Sequence, residues 1–196
     1  MADVLHFDVD EALDAMLRVF WQQGFKATST KQLAASASLS EGSLFNTFGN
    51  KQAIYVRALK RYEVMLESMD TIITTDPSPL SGIRMYWESI ANYAADPSHA
   101  AGCFFTNACI ERSDDPEVEQ LIRNYHKRSE SLFKKALDRA VAIGELNAKA
   151  DRKAMSQFLL HSTQGIRVLS RLNPAKSKMK NIVDLTMAAI DSYRIC

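Results

Sequence analysis

The sequence predicts an all-α protein, and three observations lead to this prediction. Apolar residues recur at steps of three and four along most of the 196 residues, which is the period of a helix with one buried face. Segments with this period begin after Asp, Ser or Asn, the residues that cap helix N-termini best. No segment shows the alternating pattern of a strand. We expect nine or so helices, three of them N-terminal.

The first helix follows Asp8. Asp8 and Glu11 have the spacing of a capping box, in which two side chains satisfy the free N–H groups of a helix start. An apolar stripe follows and stops at Gly24, a residue that ends helices naturally. We expect this helix to pack across the next two. The stripe consists of Ala12, Leu13, Met16, Leu17, Phe20 and Trp21.

Residues 29–51 predict a helix-turn-helix. Ser29 and Gln32 again have capping-box spacing. After a turn, Ser40 is a good N-cap for a second short helix, and Asn50 can cap the helix that follows. Small residues let the two short helices approach at a steep angle, so that the second can enter a DNA major groove. These small residues are Ala34, Ala35, Gly42 and Ser43.

Longer helices account for the rest of the chain. One starts at Lys51, and the Pro- and Ser-rich segment 75–82 predicts a turn. Asp115 and Pro116 are typical of a helix start, and Gly144 of the end of that helix. Three further helices are expected at about Ile83–Asp96, Asp151–Leu172 and Ala175–Tyr193.

The composition is that of a soluble globular protein, with 46% hydrophobic and 24% charged residues and a formal net charge of +1. No segment approaches the roughly 20 apolar residues that span a bilayer. The acidic N-terminus lacks the apolar core of a signal peptide. Three cysteines without zinc-ligand spacing favour a reducing compartment. We expect a cytoplasmic protein without a membrane partner.

The distribution of charge is more informative than its sum. Residues 1–14 carry five acidic side chains and no Lys or Arg. Residues 25–61 carry six Lys or Arg against Glu41 alone. The helix-turn-helix therefore lies in a locally basic stretch, which suits contact with phosphates. A solvated basic face without a partner is the alternative.

The order of residues also resembles a known family. The segment GFKATSTKQLAASASLSEGSLFNTFGNKQAI is similar to the N-terminal domain of TetR-type bacterial transcriptional regulators. The resemblance implies a helix-turn-helix DNA-binding domain at residues 1–50 and a helical ligand-binding and dimerisation domain at residues 51–196. The matching residues are Gly24, Phe25, Thr28, Ser29, Leu33, Ala34, Gly42, Ser43, Leu44, Phe45, Phe48 and Lys51.

The expected DNA contacts fall into three groups. The first stands at the N-terminus of the first short helix, where N–H groups and the helix dipole favour a phosphate. The second lies on the exposed side of the second short helix, where Asn, Ser and Thr can bond base edges. The third is a lysine that starts the next helix. Capping or plain solvent exposure is the alternative for each. The residues are Thr28, Thr30, Lys31, Ser43, Phe45, Asn46, Thr47 and Lys51.

Three residues depart from the family pattern. Ser38 occupies the turn position where Gly is usual, which is costly if that position needs a positive φ. Phe45 stands where Tyr is common, so a phenol hydroxyl that often meets a phosphate is missing. Thr47 replaces a frequent His. The operator sequence therefore cannot be carried over from the family.

The resemblance implies a homodimer through the last two helices, which would pair with their copies in a four-helix bundle. Two apolar stripes run along these helices, and packing into the protein's own core is the alternative for both. A palindromic DNA site needs two recognition helices about 34–36 Å apart, which favours the dimer. The stripes are Met155, Phe158, Leu159, Ser162, Ile166, Leu169 and Leu172, then Ile182, Val183, Thr186, Met187 and Ile190.

The middle helices are expected to enclose a pocket for a small-molecule effector. Aromatic walls and a few polar groups are typical of such pockets, although any single such residue is more often ordinary core than a ligand contact. A ligand that prefers the conformation with misplaced recognition helices would lower DNA affinity. The candidates are Tyr86, Trp87, Tyr93, Cys103, Phe104, Asn107, Tyr125 and His161.

Cys103 suggests a second route of release. The segment AGCFFTNACIE resembles a stretch in family members that sense electrophiles or oxidants through a cysteine. A position near a helix N-terminus would lower the pKa of the thiol and favour the reactive thiolate. A small buried hydrophobe is the alternative, and it is the common fate of a free cysteine.

An enzyme is not expected. The chain has no G-x-S-x-G, P-loop, G-x-G-x-x-G or H-E-x-x-H motif, and nothing in it calls for a cofactor or a metal. A helical co-regulator that has lost DNA binding is the alternative to a DNA-binding repressor, because the net charge is near zero and no basic N-terminal arm is present.

Overall fold

A computed structural model describes residues 7–195. Within these residues the protein has nine α-helices and no strand, as the all-α prediction requires. Asp3 and Cys196 lie outside the described residues. The helices are α1 (Val9–Gln23), α2 (Thr30–Ser36), α3 (Glu41–Phe48), α4 (Lys51–Thr75), α5 (Pro79–Ala94), α6 (Phe104–Arg112), α7 (Pro116–Ala142), α8 (Arg152–Leu169) and α9 (Lys176–Asp191).

The predicted caps form. The Ser29 hydroxyl accepts from the Gln32 N–H, and the Gln32 side chain accepts from the Ser29 N–H at 2.8 Å, so both halves of this capping box are present. Asp8 caps α1 and Ser40 caps α3. Asn50 Oδ1 accepts from the third residue of α4 at 2.9 Å. Each cap satisfies a donor that the helix start leaves open, and contributes about 1 kcal/mol.

Two helix boundaries differ from the predicted ones. Helix α5 begins at Pro79, inside the segment predicted as a turn, because Ser78 caps it and Pro suits the first helical position. Helix α8 ends at Leu169, and a 3₁₀ turn covers residues 170–172. Turn-forming residues and the first turn of a helix share a composition, which explains the first difference.

The chain forms two compact units. The first contains residues 7–65 together with Asn107–Ile122, and the second contains Leu66–Thr106 together with residues 123–195. Helices α4, α6 and α7 therefore contribute residues to each unit. The assignment of separate functions to residues 1–50 and 51–196 stays a prediction.

The first unit buries one apolar face from each of its N-terminal helices. Phe20 from α1, Leu33 from α2, Leu44 from α3 and Tyr55 from α4 are at most 1% exposed. The rings of Phe20 and Tyr55 meet edge to face, with 5.0 Å between centroids. Burial of side chains of this size stabilises the unit by about 1.5–3 kcal/mol each, and it fixes which faces of α2 and α3 remain outside.

The second unit is built around α5, whose Trp87 is fully buried. Seven residues of the two predicted stripes face this core, so the prediction that they form a dimer face is wrong for those seven. Phe158, Leu172 and Leu185 are instead exposed, at 45%, 76% and 74%. The inward residues are Met155, Leu159, Ile166, Val183, Thr186, Met187 and Ile190.

Candidate nucleic-acid interface

The turn between α2 and α3 has the backbone that the helix-turn-helix requires. Ser38 has a φ of +56°, in the left-handed region. Two hydrogen bonds close the turn, from Ser38 N to Ala35 O at 3.2 Å and from Leu39 N to Ala34 O at 2.8 Å. Ser38, which stands where the family pattern has Gly, therefore destabilises the turn, because a side chain in this conformation costs about 1 kcal/mol.

Helix α3 presents a polar face to solvent. Leu44 and Phe48 are 0% and 1% exposed and anchor the helix in the first unit. Asn46 is exposed, Thr47 is partly exposed, and the Phe45 ring is 42% exposed. An exposed polar face opposite two buried anchors is the arrangement that allows a recognition helix to approach base edges.

Ser43, one of the predicted base contacts, takes part in the N-cap of α3. Ser43 is exposed, but its N–H donates to Ser40 Oγ at 3.1 Å, and its own Oγ accepts from the Ser40 hydroxyl at 3.0 Å. Its hydroxyl hydrogen is not used by either bond, so it can still donate to an acceptor at the surface.

The start of α2 offers two of the three predicted phosphate contacts. Lys31 is exposed, and Thr30 is partly exposed with its hydroxyl donating to Glu41 Oε2 at 2.9 Å. Thr28 is only 2% exposed, and its hydroxyl donates to Gly24 O at 2.6 Å. The prediction for the Thr28 side chain is therefore wrong, because the hydroxyl closes the α1–α2 loop instead of facing outward.

Lys51 lies beside an aromatic ring at the start of α4. Its Nζ is 4.4 Å from the centroid of Phe25, a cation–π contact. Burial lowers the pKa of Lys51, with the nearby Arg112 acting in the same direction and Glu111 opposing it. The cation is thus partly desolvated and held in one place, which suits a contact with one phosphate.

Arg57 is a basic residue that motif reasoning did not single out. It lies on α4, exposed, with Nη1 donating to Thr47 O at 3.2 Å and the guanidinium 5.7 Å from the Phe48 ring centroid. It therefore adds a fixed positive charge at the C-terminal end of α3. The excess of Lys and Arg in residues 25–61 was the only signal for it.

The predicted effector residues of the second unit are mostly core. Each aromatic residue of this set is buried except Tyr93, which is partly exposed. His161 is exposed, with Nδ1 2.7 Å from Gln157 O, so its prediction as a wall of an enclosed pocket is wrong. Asn107 falls in the first unit by its contacts. The buried members are Tyr86, Trp87, Cys103, Phe104 and Tyr125.

A buried arginine joins two of these residues. Arg167 Nη1 donates to the hydroxyl of Tyr125 at 2.5 Å, and Nη2 lies 3.5 Å from the hydroxyl of Tyr86. Burial raises the pKa of Tyr86 and of Tyr125, while Arg167 opposes the rise. Burial also raises the pKa of Tyr93 to about 12. All three phenols are therefore neutral at pH 7 and act as hydrogen-bonding groups.

An open groove lies elsewhere in the second unit, between α5 and α9. It measures about 470 Å³, and none of the eight predicted effector residues lines it. Its polar lining includes Arg84, Asn92, Lys176 and Lys180. Sequence periodicity could not find this groove, because its residues come from two helices far apart in the chain.

Neither a metal centre nor a membrane span is found in the part of the chain that the structure describes. No three His, Cys, Asp or Glu side chains there are grouped so that they could hold a metal ion. None of the helices within residues 7–195 is long and apolar enough to cross a membrane.

Comparison with known families assigns both parts of the chain. The family "Bacterial regulatory proteins, tetR family" matches residues 12–58. The family "Tetracyclin repressor-like, C-terminal domain" matches residues 79–185. The second match alone covers more than half of the 196 residues. The chain is a helix-turn-helix transcriptional regulator and belongs to the TetR family.

Relatives along the whole chain agree with this assignment. The repressor ComR of Escherichia coli K12 is 27% identical over 184 residues, covering 92% of this chain and 88% of ComR. The uncharacterised regulator YezE of Bacillus subtilis is 26% identical over 191 residues, covering 94% and 97%. Both carry the designation HTH-type, in agreement with the helix-turn-helix described above.

Solved structures show the same fold. A cysteine mutant of the regulator CifR, complexed with 26-base-pair operator DNA, superimposes with a TM-score of 0.87 at 21% identity and covers 95% of this chain and 99% of its own. The reduced form of NemR from E. coli superimposes with a TM-score of 0.81 at 17% identity, covering 95% and 96%. At these identities the likeness concerns the fold alone.

Proposed function

We propose that the protein is a homodimeric DNA-binding repressor that leaves a palindromic operator when a small effector binds or a cysteine is modified. The outward polar face of α3 is the observation that carries the proposal. Asn46 and Thr47 lie on this face while Leu44 and Phe48 are buried. A co-regulator without DNA binding would have no need of such a face, and that alternative is not favoured.

Base recognition rests on α3. An Asn side chain can pair with both N6 and N7 of adenine, and a Thr methyl can contact the methyl group of thymine. Phe45 offers an exposed apolar ring beside them. These chemistries favour a half-site that contains A·T pairs under the middle of the helix.

Phosphate binding rests on residues that flank α3. Lys31 at the start of α2, Lys51 at the start of α4 and Arg57 on the next turns of α4 supply the positive charge. The free N–H groups at the start of α2 add their partial charge. A dimer doubles every one of these contacts, which compensates for a net charge of only +1.

The dimer is proposed through the outer faces of α8 and α9 and the 3₁₀ turn that follows α8. Phe158, Leu172 and Leu185 are large apolar side chains that the protein's own core leaves exposed. A Cβ added at Gly165 would meet nothing within 4 Å beyond its chain neighbours and its own helix backbone among the described residues, which leaves room there for a close approach of helices. Pairing of these faces around a two-fold axis would present two copies of α3 to a palindrome.

We propose that the effector releases the protein from its operator by shifting the population of protein conformations. An effector lowers operator affinity only by the difference between its affinities for the two conformations. Cys103 lies directly before α6 and is 5% exposed, so an electrophile needs a brief opening of the second unit to reach it.

A salt titration tests the proposal. The protein is used to select duplexes from a random pool, and binding to the selected duplex is then measured between 50 and 200 mM salt. A dimer that contacts six to ten phosphates should lose about 10³–10⁵ in affinity over this range. Binding that is absent, or that does not change with salt, would leave only the co-regulator reading.

A further inference from the structure

Two charged residues at the C-terminal end of α6, Glu111 and Arg112, contact the elements that flank the DNA-binding helices. Both belong to the first compact unit, as do their partners. Glu111 reaches the loop between α1 and α2, and Arg112 reaches the start of α4. We name this pair the α6 clamp.

We propose that Glu111 and Arg112 are positioning residues for phosphate binding: they hold the entry to α2 and the ammonium of Lys51 where two phosphates can be met. The inference rests on the proposed function, since it concerns the same DNA surface. Neither residue needs to touch DNA for this role.

The Glu111 carboxylate accepts hydrogen bonds from two consecutive backbone N–H groups. Its Oε2 accepts from Phe25 N at 2.8 Å, and its Oε1 accepts from Lys26 N at 2.7 Å. Hydrogen bonds to a carboxylate are shorter and stronger than neutral ones. Because both oxygens are used, the carboxylate fixes the direction of the loop as well as its position.

Gly24 shows how closely the loop and the carboxylate fit. Its φ is +83°, and a Cβ built on it would lie 2.7 Å from Glu111 Oε2. The loop then closes through the bond from the Thr28 hydroxyl to Gly24 O, one residue before the Ser29 cap of α2. The clamp therefore determines where α2 begins.

Arg112 acts on the second phosphate-binding element. Its guanidinium lies 3.9 Å from the centroid of the Phe25 ring, the same ring over which Lys51 Nζ lies at 4.4 Å. Its Nη2 donates to Gln52 Oε1 at 2.9 Å and to Asp115 Oδ2 at 2.8 Å. Its side chain is only 12% exposed, so it positions the ring and the neighbouring lysine without reaching solvent-borne phosphates.

Neutralising Glu111 distinguishes two explanations, because electrostatic repulsion and positioning predict opposite changes in DNA affinity. A carboxylate near a DNA surface repels phosphates, so its neutralisation should tighten binding if electrostatics alone decides. If Glu111 positions the loop, the same change should weaken binding. A Gln keeps the size of the side chain, but it offers one acceptor and one NH₂ group in place of two acceptors.

The experiment compares full-length Glu111→Gln with Glu117→Gln, an exposed glutamate of the same unit, as the charge-matched control. The probe is a fluorescent 30-base-pair duplex of random sequence. We expect Glu111→Gln to bind DNA about tenfold more weakly. The slope of log K against log[salt] should also be smaller by about 1.8, because each of the two copies loses one phosphate contact and each contact contributes about 0.9. The control should bind as tightly as the wild type or more tightly.

A second variant covers the case in which Glu111→Gln does not fold, which circular dichroism would reveal. Arg112→Lys keeps the charge but loses the planar fork, and we expect it to weaken binding with a smaller salt slope too. If Glu111→Gln folds and binds DNA as tightly as its control, this inference alone is overturned. If Glu111→Gln is unfolded, equal binding by Arg112→Lys and the wild type overturns it in the same way. A wild type that binds no duplex would overturn the proposed function and this inference together.

Discussion

Asp14 on α1 and Arg61 on α4 form a two-pronged salt bridge. Arg61 Nε donates to Asp14 Oδ1 at 2.8 Å, and Nη2 donates to Oδ2 at 2.9 Å. Such paired bonds specify an orientation as well as a distance. They tie the first helix of the DNA-binding unit to the helix that begins at Lys51.

This bridge predicts a pH-dependent contribution to stability. The hydrogen bond from Arg61 holds the pKa of Asp14 below its ordinary value of 3.8. A lowered pKa gives stability that is fully present above the unfolded value and is lost as the pH falls through the folded one. Asp14→Asn should therefore lower the unfolding midpoint at pH 7, by up to about 4 °C for a partly exposed pair, and this deficit should shrink as the pH is lowered toward 2.

Thermal melts at the two pH values check this, with the exposed Asp114→Asn of the same unit as the control. A deficit for Asp14→Asn that persists unchanged at pH 2 would mean that ionic pairing is not its source.

Ser38 predicts a stabilising substitution. Its φ of +56° favours Gly, so Ser38→Gly should raise the free energy of unfolding by about 0.5–1 kcal/mol. Ala35→Gly, inside α2 and exposed, should have the opposite sign, because Gly in a helix interior costs about 0.5–1 kcal/mol relative to Ala. Urea titrations of both variants measure the difference. Destabilisation by both would show that the Ser38 side chain is needed in the turn.

Local features were predictable from the sequence, and distant contacts were not. Ser29 and Gln32 are three residues apart, so their spacing alone predicts the capping box. Glu111 bonds residues 85 and 86 positions away, and Arg167 bonds Tyr125 across 42. Periodicity shows that a face is apolar but not what covers it, which is why the inward stripes of α8 and α9 were assigned to a dimer.

The outer face of α9 predicts the effect of a charge on assembly. Leu185 is 74% exposed, and Leu185→Glu would place two carboxylates in the proposed two-fold interface. We expect the dimer to dissociate at least tenfold more readily, as measured by sedimentation. Val64→Glu on α4, at a site 58% exposed, is the control and should sediment as the wild type does. Identical sedimentation of Leu185→Glu and wild type would place the dimer interface elsewhere.

Substitution of Cys103 should separate the response to electrophiles from DNA binding. Ser has nearly the volume of Cys but is a far weaker nucleophile, so Cys103→Ser should bind DNA normally and lose any release caused by an electrophile such as N-ethylmaleimide. Cys109→Ser, at a partly exposed cysteine six residues away, is the matched control. Fluorescence anisotropy of a labelled duplex follows both. Release that survives in Cys103→Ser would assign the response to another residue.

The account depends most directly on α3 reading bases, and selection from a random duplex pool with Asn46→Ala and Lys51→Ala tests this claim. Asn46→Ala should lose preference at one position of each half-site, at a cost of about 1–3 kcal/mol per base contact. Lys51→Ala should weaken binding to all sequences evenly and leave the preference intact. Selected sites identical to those of the wild type, with unchanged affinity in both variants, would contradict the placement of this helix on DNA.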